Sequence, residues 1–500
     1  MNVSLLLDMA ADTEPDRVVV AAESGSLTAA ELRDRARRTA RLITDLGVAR
    51  VALLDVNSEA LPVALFGAAY AGVPFAPVNY RLTDDQLRPI MRRVAPALVI
   101  AGPEAGDRVA ADPQLTVMTR EQLLAAVEAV DDVPADVAFI DPDEIAILLF
   151  TSGTTGEPKA AVLRHRHLTS YIIGSVEFMS ASSDEAQLVS VPPYHIAGVS
   201  GALSSLYSGR RIAYLPAFDP AKWVDAVQQH AVTQAMVVPT MLRRILDEVD
   251  ARGTELPSLR HLSCGGGRMP VELIERALAT LPHVDFVNAY GLTETSSTIS
   301  VLGPDDHRTA LNSDDPAQRA RLGSVGRPLP TVEIEIRDAD GTVLPVGERG
   351  EVYVRGEQVA GEYLDRNALT DDGWFPTHDT GYLDADGFLF LDGRLDDVIV
   401  RGAENLSPGE IEAVLVAHAA VAEAAVVGVP DPEWGEAVAA CVVLVPGETA
   451  TAAELQDWVR TRLRSTRTPQ VIEFRSELPY NETGKLMRRV LRNELAASVR

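Results

Sequence analysis

The stretch Thr151-Ser152-Gly153-Thr154-Thr155-Gly156-Glu157-Pro158-Lys159 packs two glycines, four hydroxyl side chains and one lysine into nine residues. Glycine lets a backbone turn with its amides facing inward, hydroxyls donate to phosphate oxygens, and a lysine adds a compact positive charge. The pattern therefore reads as a phosphate-binding loop, although a solvated turn would use the same residue types. It directly follows Ile145-Ala146-Ile147-Leu148-Leu149-Phe150, an unbroken apolar run that predicts a buried strand. The order Gly153-x2-Gly156-x2-Lys159 is not the Gly-x4-Gly-Lys-Ser/Thr of the P-loop nucleotide hydrolases, so a different cradle is implied.

Other residues could complete such a site. Tyr290 offers a flat face to an aromatic base. Thr293 and Glu294 follow within one turn, placing a hydroxyl and a carboxylate where phosphate and Mg2+ could be met. An acidic residue at a helix start would equally serve the helix dipole. Gly265, Gly266 and Gly267 after Cys264 lack a Cβ, so backbone can approach a ligand closely there, or simply form a tight turn. His195, in Pro192-Pro193-Tyr194-His195-Ile196-Ala197-Gly198, suits a pocket mouth or a satisfied core position. A lone lysine in a terminal loop, as Lys485 is, would ordinarily be solvated.

Positioning these groups takes an extended scaffold. The chain has 500 residues, too many for one hydrophobic core, with 46% hydrophobic and 23% charged residues, as in ordinary globular proteins. A net charge of −27 argues against nucleic acid or anionic lipid as a partner. No apolar run reaches the length of a membrane span, and the start of the chain lacks a basic segment with a cleavage site, so a cytoplasmic protein without stable membrane insertion is expected. The two cysteines, Cys264 and Cys441, have no metal-ligand spacing and read as core residues.

Through the first 330 or so residues, strand-like runs (Val51–Leu54, Ala97–Ile100, Gln187–Val191, Ala235–Val238) alternate with helical patterns, predicting an α/β layer fold with largely parallel strands. One helix opens at the capping box Thr28-Ala29-Ala30-Glu31 and closes before Gly47. From Thr331 the texture changes to alternating strands with Asp-Gly turns, predicting a small antiparallel sheet or barrel. After Arg394 the chain restarts as a compact α+β segment, with capping boxes expected at Ser407-Pro408-Gly409-Glu410 and Thr451-Ala452-Ala453-Glu454.

Five separated motifs, in chain order, resemble the adenylate-forming superfamily of acyl-CoA synthetases, aryl-CoA ligases, luciferases and peptide-synthetase adenylation domains. They are Thr151 to Lys159, Pro192 to Gly198, Tyr290-Gly291-Leu292-Thr293-Glu294-Thr295, Asp379 through Gly393-Arg394-Leu395-Asp396-Asp397, and Asn481-Glu482-Thr483-Gly484-Lys485. The resemblance covers nearly the whole chain. It implies a large N-terminal domain, 1–394, of layered mostly parallel sheets with a small antiparallel barrel-like part, and a small mobile α+β C-terminal domain, 395–500, with a hinge near Asp396.

The resemblance also implies roles. Thr151, Ser152, Gly153, Thr154, Thr155, Gly156 and Lys159 would hold ATP phosphates. Gly265, Gly266, Asn288, Ala289, Tyr290 and Gly291 would wall the nucleotide, with Tyr290 on adenine. Thr293 would meet the α-phosphate, Glu294 would hold Mg2+ with Thr151 as a second candidate, and Asp379 with its partner Arg394 would bind ribose. Lys485 would bridge carboxylate and α-phosphate, and His195 would sit between the acyl pocket and the thiol tunnel. Two departures stand out: Thr377-His378-Asp379 replaces the family's Thr-Gly-Asp, and Gly402-Ala403-Glu404 replaces a Gly-Gly turn of the pantetheine tunnel. Arg460, Arg462, Arg464 and Arg467 read as a solvated helix face, with a CoA phosphate site as the second reading.

The implied activity is ATP-dependent ligation of a carboxylic acid to coenzyme A through an acyl-adenylate. The alternative acceptor is the phosphopantetheine thiol of a carrier protein. An amino-acid adenylating enzyme would need a carboxylate near His195, and a non-catalytic regulator would be expected to lose Lys485 or Glu294, which are both present. The segments expected to line the acyl pocket, Ile196 to Leu206, Met236 to Met241 and Thr298 to Val301, carry no charge and suit a medium-chain or aryl acid.

Overall fold

The computed structural model describes residues 1–21, 25–131, 139–151, 159–401, 404–432, 434–480 and 486–498. The chain forms two compact units, Met1–Glu333 with Val354–Phe375, and Ile334–Tyr353 with Pro376–Arg500.

The first unit holds two large sheets. One runs, in spatial order, Arg327–Pro328, Ser297–Leu302, Asp285–Leu292, His261–Cys264, Gln234–Val237, Ala186–Val189, Arg211–Tyr214, Val18–Ala21 and Leu27–Thr28. Its six strands from Asp285–Leu292 to Val18–Ala21 are parallel, and the strands at both edges are antiparallel. The second sheet runs Arg366–Asn367, Glu362–Tyr363, Lys159–Arg164, Ile145–Thr151, Phe75–Pro77, Arg50–Leu54, Ala97–Ala101 and Leu115–Met118.

One core cluster takes residues from both sheets, Val189 and Ile212 from the first and Leu53, Ile100 and Leu149 from the second, together with Leu6, Leu32, Phe66, Leu168 and Leu203 of five helices. Helices are thus layered between the sheets. A helix in that position has no solvent side, and in Ala60–Ala71 every residue from Ala60 to Tyr70 is buried. Separate cores cover the outer faces, around Trp223, Leu242 and Phe286 on one sheet and Leu87, Ile90 and Met91 on the other.

The second unit contains most of a four-stranded sheet, Glu333–Arg337, Gly350–Arg355, Phe375–Leu383 and Leu389–Arg394, of which Glu333, Val354, Arg355 and Phe375 belong to the first unit. It also contains a five-stranded sheet built around the hairpin Val421–Asp431 and Gly435–Leu444. Val426, Val438, Ala440 and Val442 of that hairpin enter one core, and Ala425, Val427, Ala439 and Cys441 enter another on the opposite face. Burial on both faces explains why these strands read as continuous apolar runs.

The expected α/β layers, antiparallel sheet and terminal α+β segment are all present. The capping boxes at Thr28 and Thr451 form, and Gly47 closes its helix in the left-handed conformation. Three expectations need correction. The run Gln187–Val191 is a strand only over Ala186–Val189, because Val191 O accepts from the Asn57 side chain and leaves the ladder. Ser407 caps no backbone amide; its hydroxyl donates to Asp392 O at 3.3 Å, and Glu410 pairs with Arg467 at 2.7 Å instead of completing a box. The helix expected to carry the arginine run ends at Arg460, so Arg462, Arg464 and Arg467 do not share its face.

Both cysteines are buried and unpaired, and burial pushes their thiols up, Cys264 to about 12 and Cys441 to about 11, as inert core residues require. Phe286 anchors the strand that leads into Tyr290 and is 1% exposed. Phe286→Ala should cost about 3–5 kcal/mol of stability, read as a lower urea midpoint for the unfolding transition of the first unit.

Candidate active site

Three neighbouring parallel strands, Gln234–Val237, His261–Cys264 and Asp285–Leu292, bring several sequence-predicted residues together at their carboxyl ends, where α/β sheets commonly bind ligands. Gly265 donates its N–H to Val237 O at 3.2 Å, and a Cβ on it would lie 2.9 Å from Ala289 O. Only glycine permits that crossing. Asn288 is buried and its amide nitrogen donates to Ser324 O at 2.9 Å, so part of this side chain is committed to the fold. The ladder to Ser297–Leu302 shifts register between Tyr290 and Gly291, and a Cβ on Gly291 would collide with Ser297 O. This bulge re-aims the chain as it enters the Thr-Glu turn.

Thr293–Thr295 forms a single 3-10 turn. The next two residues, Ser296 and Ser297, have φ of 59° and 129°, a left-handed excursion that costs non-glycine residues energy and persists only when its surroundings hold it. They do hold it. Thr295 Oγ1 lies 2.8 Å from Ser297 O, Ser296 Oγ donates to Gln358 O at 2.9 Å, and Gln358 Nε2 donates to Thr295 O at 3.1 Å and to Thr298 O at 2.8 Å. Gln358 is fully buried. Nothing in the sequence around Gln358 marks it, because its value lies in reaching residues some sixty positions away.

The hairpin of Ile145–Thr151 and Lys159–Arg164 pairs Thr151 with Lys159, so the two ends of the phosphate loop are held side by side. Ser152, Gly153, Thr154, Thr155 and Gly156 lie outside the described residues. Lys159 Nζ sits over the ring of Tyr363, 5.9 Å from its centroid, and the hydroxyl of Tyr363 donates to Glu294 Oε1 at 2.6 Å. Burial, then the charge of Glu294, pushes the phenol well above its ordinary value, so it remains a donor. The main chain adds two bonds: Ala360 and Gly361 donate to Glu294 O at 2.8 and 3.1 Å. Lys159 and Glu294, expected from sequence, are thus linked by Tyr363, which was not.

His195 precedes the helix Ile196–Ser208, and its ring lies 4.7 Å from that of Tyr194, which in turn meets Tyr80 edge-on at 5.9 Å. Gly198 lets this helix start close against Pro192: a Cβ there would be 2.9 Å from Pro192 O. The motif is also fixed from behind by Asn57, 1% exposed, whose amide donates to Val191 O at 2.8 Å. Ser200 on the same helix donates to Ser297 Oγ at 3.2 Å, so one segment expected to line an acyl pocket, Ile196 to Leu206, touches the residue just before another, Thr298 to Val301.

In the second unit, Asp379 and Arg394 face each other across the hairpin Phe375–Leu383 and Leu389–Arg394 and pair at 3.1 Å, with Arg394 also donating to Thr377 O at 2.8 Å. His378 has φ of 58°, which explains why glycine suits this position in the family pattern. Glu351 compensates. Its Oε1 accepts from the His378 backbone N–H at 3.1 Å and lies 3.0 Å from Nδ1 of the ring. Asp396 is exposed within the 3-10 turn Leu395–Asp397. Gly402, Ala403 and the whole of Asn481 to Lys485 lie outside the described residues.

The donor set suits Mg2+ carried on a polyphosphate. Glu294 and Thr151 supply hard oxygens, and among the described residues no group of three or more His, Cys, Asp and Glu could cage a metal without a ligand's own oxygens.

Two outcomes follow from this geometry. Replacing Gln358 by Leu leaves the carbonyls of Thr295 and Thr298 without their donor; stability should fall by about 1–3 kcal/mol in urea unfolding. Glu351 hydrogen-bonds to and attracts the His378 imidazolium, raising its pKa. Stability from this pair is therefore full below the ordinary imidazole value and is lost as pH rises through the higher folded value. A proton NMR titration should find His378 above the usual histidine range, and Glu351→Gln should return it downward.

Comparison with known proteins agrees with the motifs. The AMP-binding enzyme family model matches residues 7–364, and the model of the AMP-binding enzyme C-terminal domain matches 410–485. A feruloyl-CoA synthase of Amycolatopsis sp is 34% identical over 93% of this chain and 93% of its own. A fatty acid–[acyl-carrier-protein] ligase, ScoC, of Streptomyces coeruleorubidus is 34% identical over 97% of this chain and 94% of its own. The crystal structure of ATP-bound MatB from Rhodopseudomonas palustris superposes with a TM-score of 0.89 at 28% identity, covering 100% of both chains. The chain belongs to the AMP-binding enzyme family, as an adenylate-forming ligase of the acyl-CoA synthetase type.

Proposed function

We propose that this enzyme activates a medium-chain or aryl carboxylic acid with ATP and transfers the acyl group to coenzyme A, releasing pyrophosphate and AMP. The observation that supports it most directly is the linked set Lys159, Tyr363 and Glu294, a cation and a hard carboxylate held on paired strands and a buttressed turn. In the first step the substrate carboxylate attacks the α-phosphorus of ATP. Mg2+, when bound, neutralises charge growing on the non-bridging oxygens. Glu294 would hold that ion with Thr151 as a second ligand, Thr293 would donate to the α-phosphate, and Lys159 with the loop Ser152 to Gly156 would hold the phosphates. These groups act by preorganised electrostatics, with no proton transfer required.

Tyr290 stacks on adenine while Gly265, Gly266, Asn288, Ala289 and Gly291 wall the nucleotide, and Asp379, steadied by Arg394, accepts from the ribose hydroxyls. Lys485 bridges the two reacting groups and withdraws before the thiol attacks, with Asp396 as the pivot between an N-terminal part, 1–394, and a C-terminal part, 395–500. His195 gates passage from acyl pocket to thiol. The second reading, loading of a carrier-protein thiol, is favoured by the likeness to a fatty acid–[acyl-carrier-protein] ligase. We place the enzyme in the cytoplasm, in keeping with two buried, unpaired cysteines.

Pyrophosphate release across aryl and aliphatic acids, with CoA or a phosphopantetheinyl carrier protein as acceptor, tests the assignment; product confined to the carrier would replace CoA by the second reading. Lys485→Ala should slow acyl-adenylate formation by about 10²–10³ while leaving thioester formation from supplied acyl-adenylate largely intact. Equal loss in both half-reactions would remove the lysine from its place in the first.

A further inference from the structure

Tyr363 stands where three parts of the site meet. Its strand Glu362–Tyr363 pairs with Lys159–Arg164 through Ala161, and Arg164 clamps the same two strands by donating to both oxygens of Glu362, at 2.8 and 2.7 Å. Tyr363 itself is only 9% exposed, and Arg366 lies over its ring at 5.1 Å. The strand geometry thus fixes the phenol before any ligand arrives.

An ammonium and a carboxylate that both contact one side chain could pair directly if that side chain were absent, which would take both charges away from a ligand. The phenol answers each separately. Its face receives the Lys159 cation, its hydroxyl takes one oxygen of Glu294, and the described residues contain no Lys159–Glu294 pair. Glu294 is thus held at Oε1 by the phenol, and the backbone carbonyl of the same residue is held by Ala360 and Gly361.

We propose that Tyr363 is a positioning residue that keeps Lys159 and Glu294 apart, so that the cation faces phosphate and the carboxylate faces its metal. The proposal rests on the roles given to those two residues above. Tyr363→Phe keeps the ring and removes the hydroxyl. It should weaken binding of the ATP complex of Mn2+, followed by electron paramagnetic resonance, by about tenfold, the loss of one charge-assisted hydrogen bond, while metal-free ATP binding measured by calorimetry stays as in the parent. Tyr363→Leu removes the ring as well, frees Lys159 to pair with Glu294, and should weaken metal-free ATP too. Equal effects of Tyr363→Phe on ATP with and without metal, or none on either, would overturn the proposal. Glu294→Gln separates it from the reading beneath: if that change leaves Mn2+ binding intact, the metal role of Glu294 is wrong; if it abolishes binding while Tyr363→Phe does nothing, only the role of Tyr363 is wrong.

Discussion

The buried amide of Gln358 governs the geometry of the Thr-Glu turn. Two consecutive serines with positive φ would relax if nothing opposed them, and the glutamine opposes them by donating to carbonyls on both sides of the kink. Because Glu294 lies just before that kink, its direction is decided by a residue far along the chain. The same segment, 358 to 363, then returns to the site twice more, through the amides of Ala360 and Gly361 and through the hydroxyl of Tyr363. A short stretch without helix or long strand thereby carries much of the organisation of the site.

The sheets do the complementary work. Parallel strands end together, and at those ends glycines allow main chains to cross at distances that any side chain would forbid, as Gly265 does over Ala289. The rigid layers behind them supply stiffness, and the polar groups in front of them supply chemistry.

Much of this was legible in the sequence because the signals are local. The apolar run before Thr151, the capping boxes at Thr28 and Thr451, and the change of texture after Thr331 all correspond to observed elements. Lys159, Glu294, Asp379 and Arg394 were legible for a different reason: they lie in motifs with fixed spacing. What escaped was non-local. Gln358, Tyr363, Asn57 and Glu351 act through contacts to distant segments, and no periodicity announces them. Ser407 misled for the same reason, since a tertiary acceptor at Asp392 outcompeted the local one that its sequence offered.

The hairpin Val421–Asp431 and Gly435–Leu444 has cores against both of its faces, whereas Glu404–Leu406 lies at the far edge of the same sheet. Strand Gly435–Leu444 is paired on both sides, whereas Val421–Asp431 pairs with it alone, so the amides of Gly435–Leu444 can meet solvent deuterium only when much of the second unit opens, while those of Glu404–Leu406 at the edge need only local fraying. Deuterium uptake should therefore proceed inward from that edge, with the central strand Gly435–Leu444 the last to exchange, so that the unit behaves as a stiff body with a soft rim.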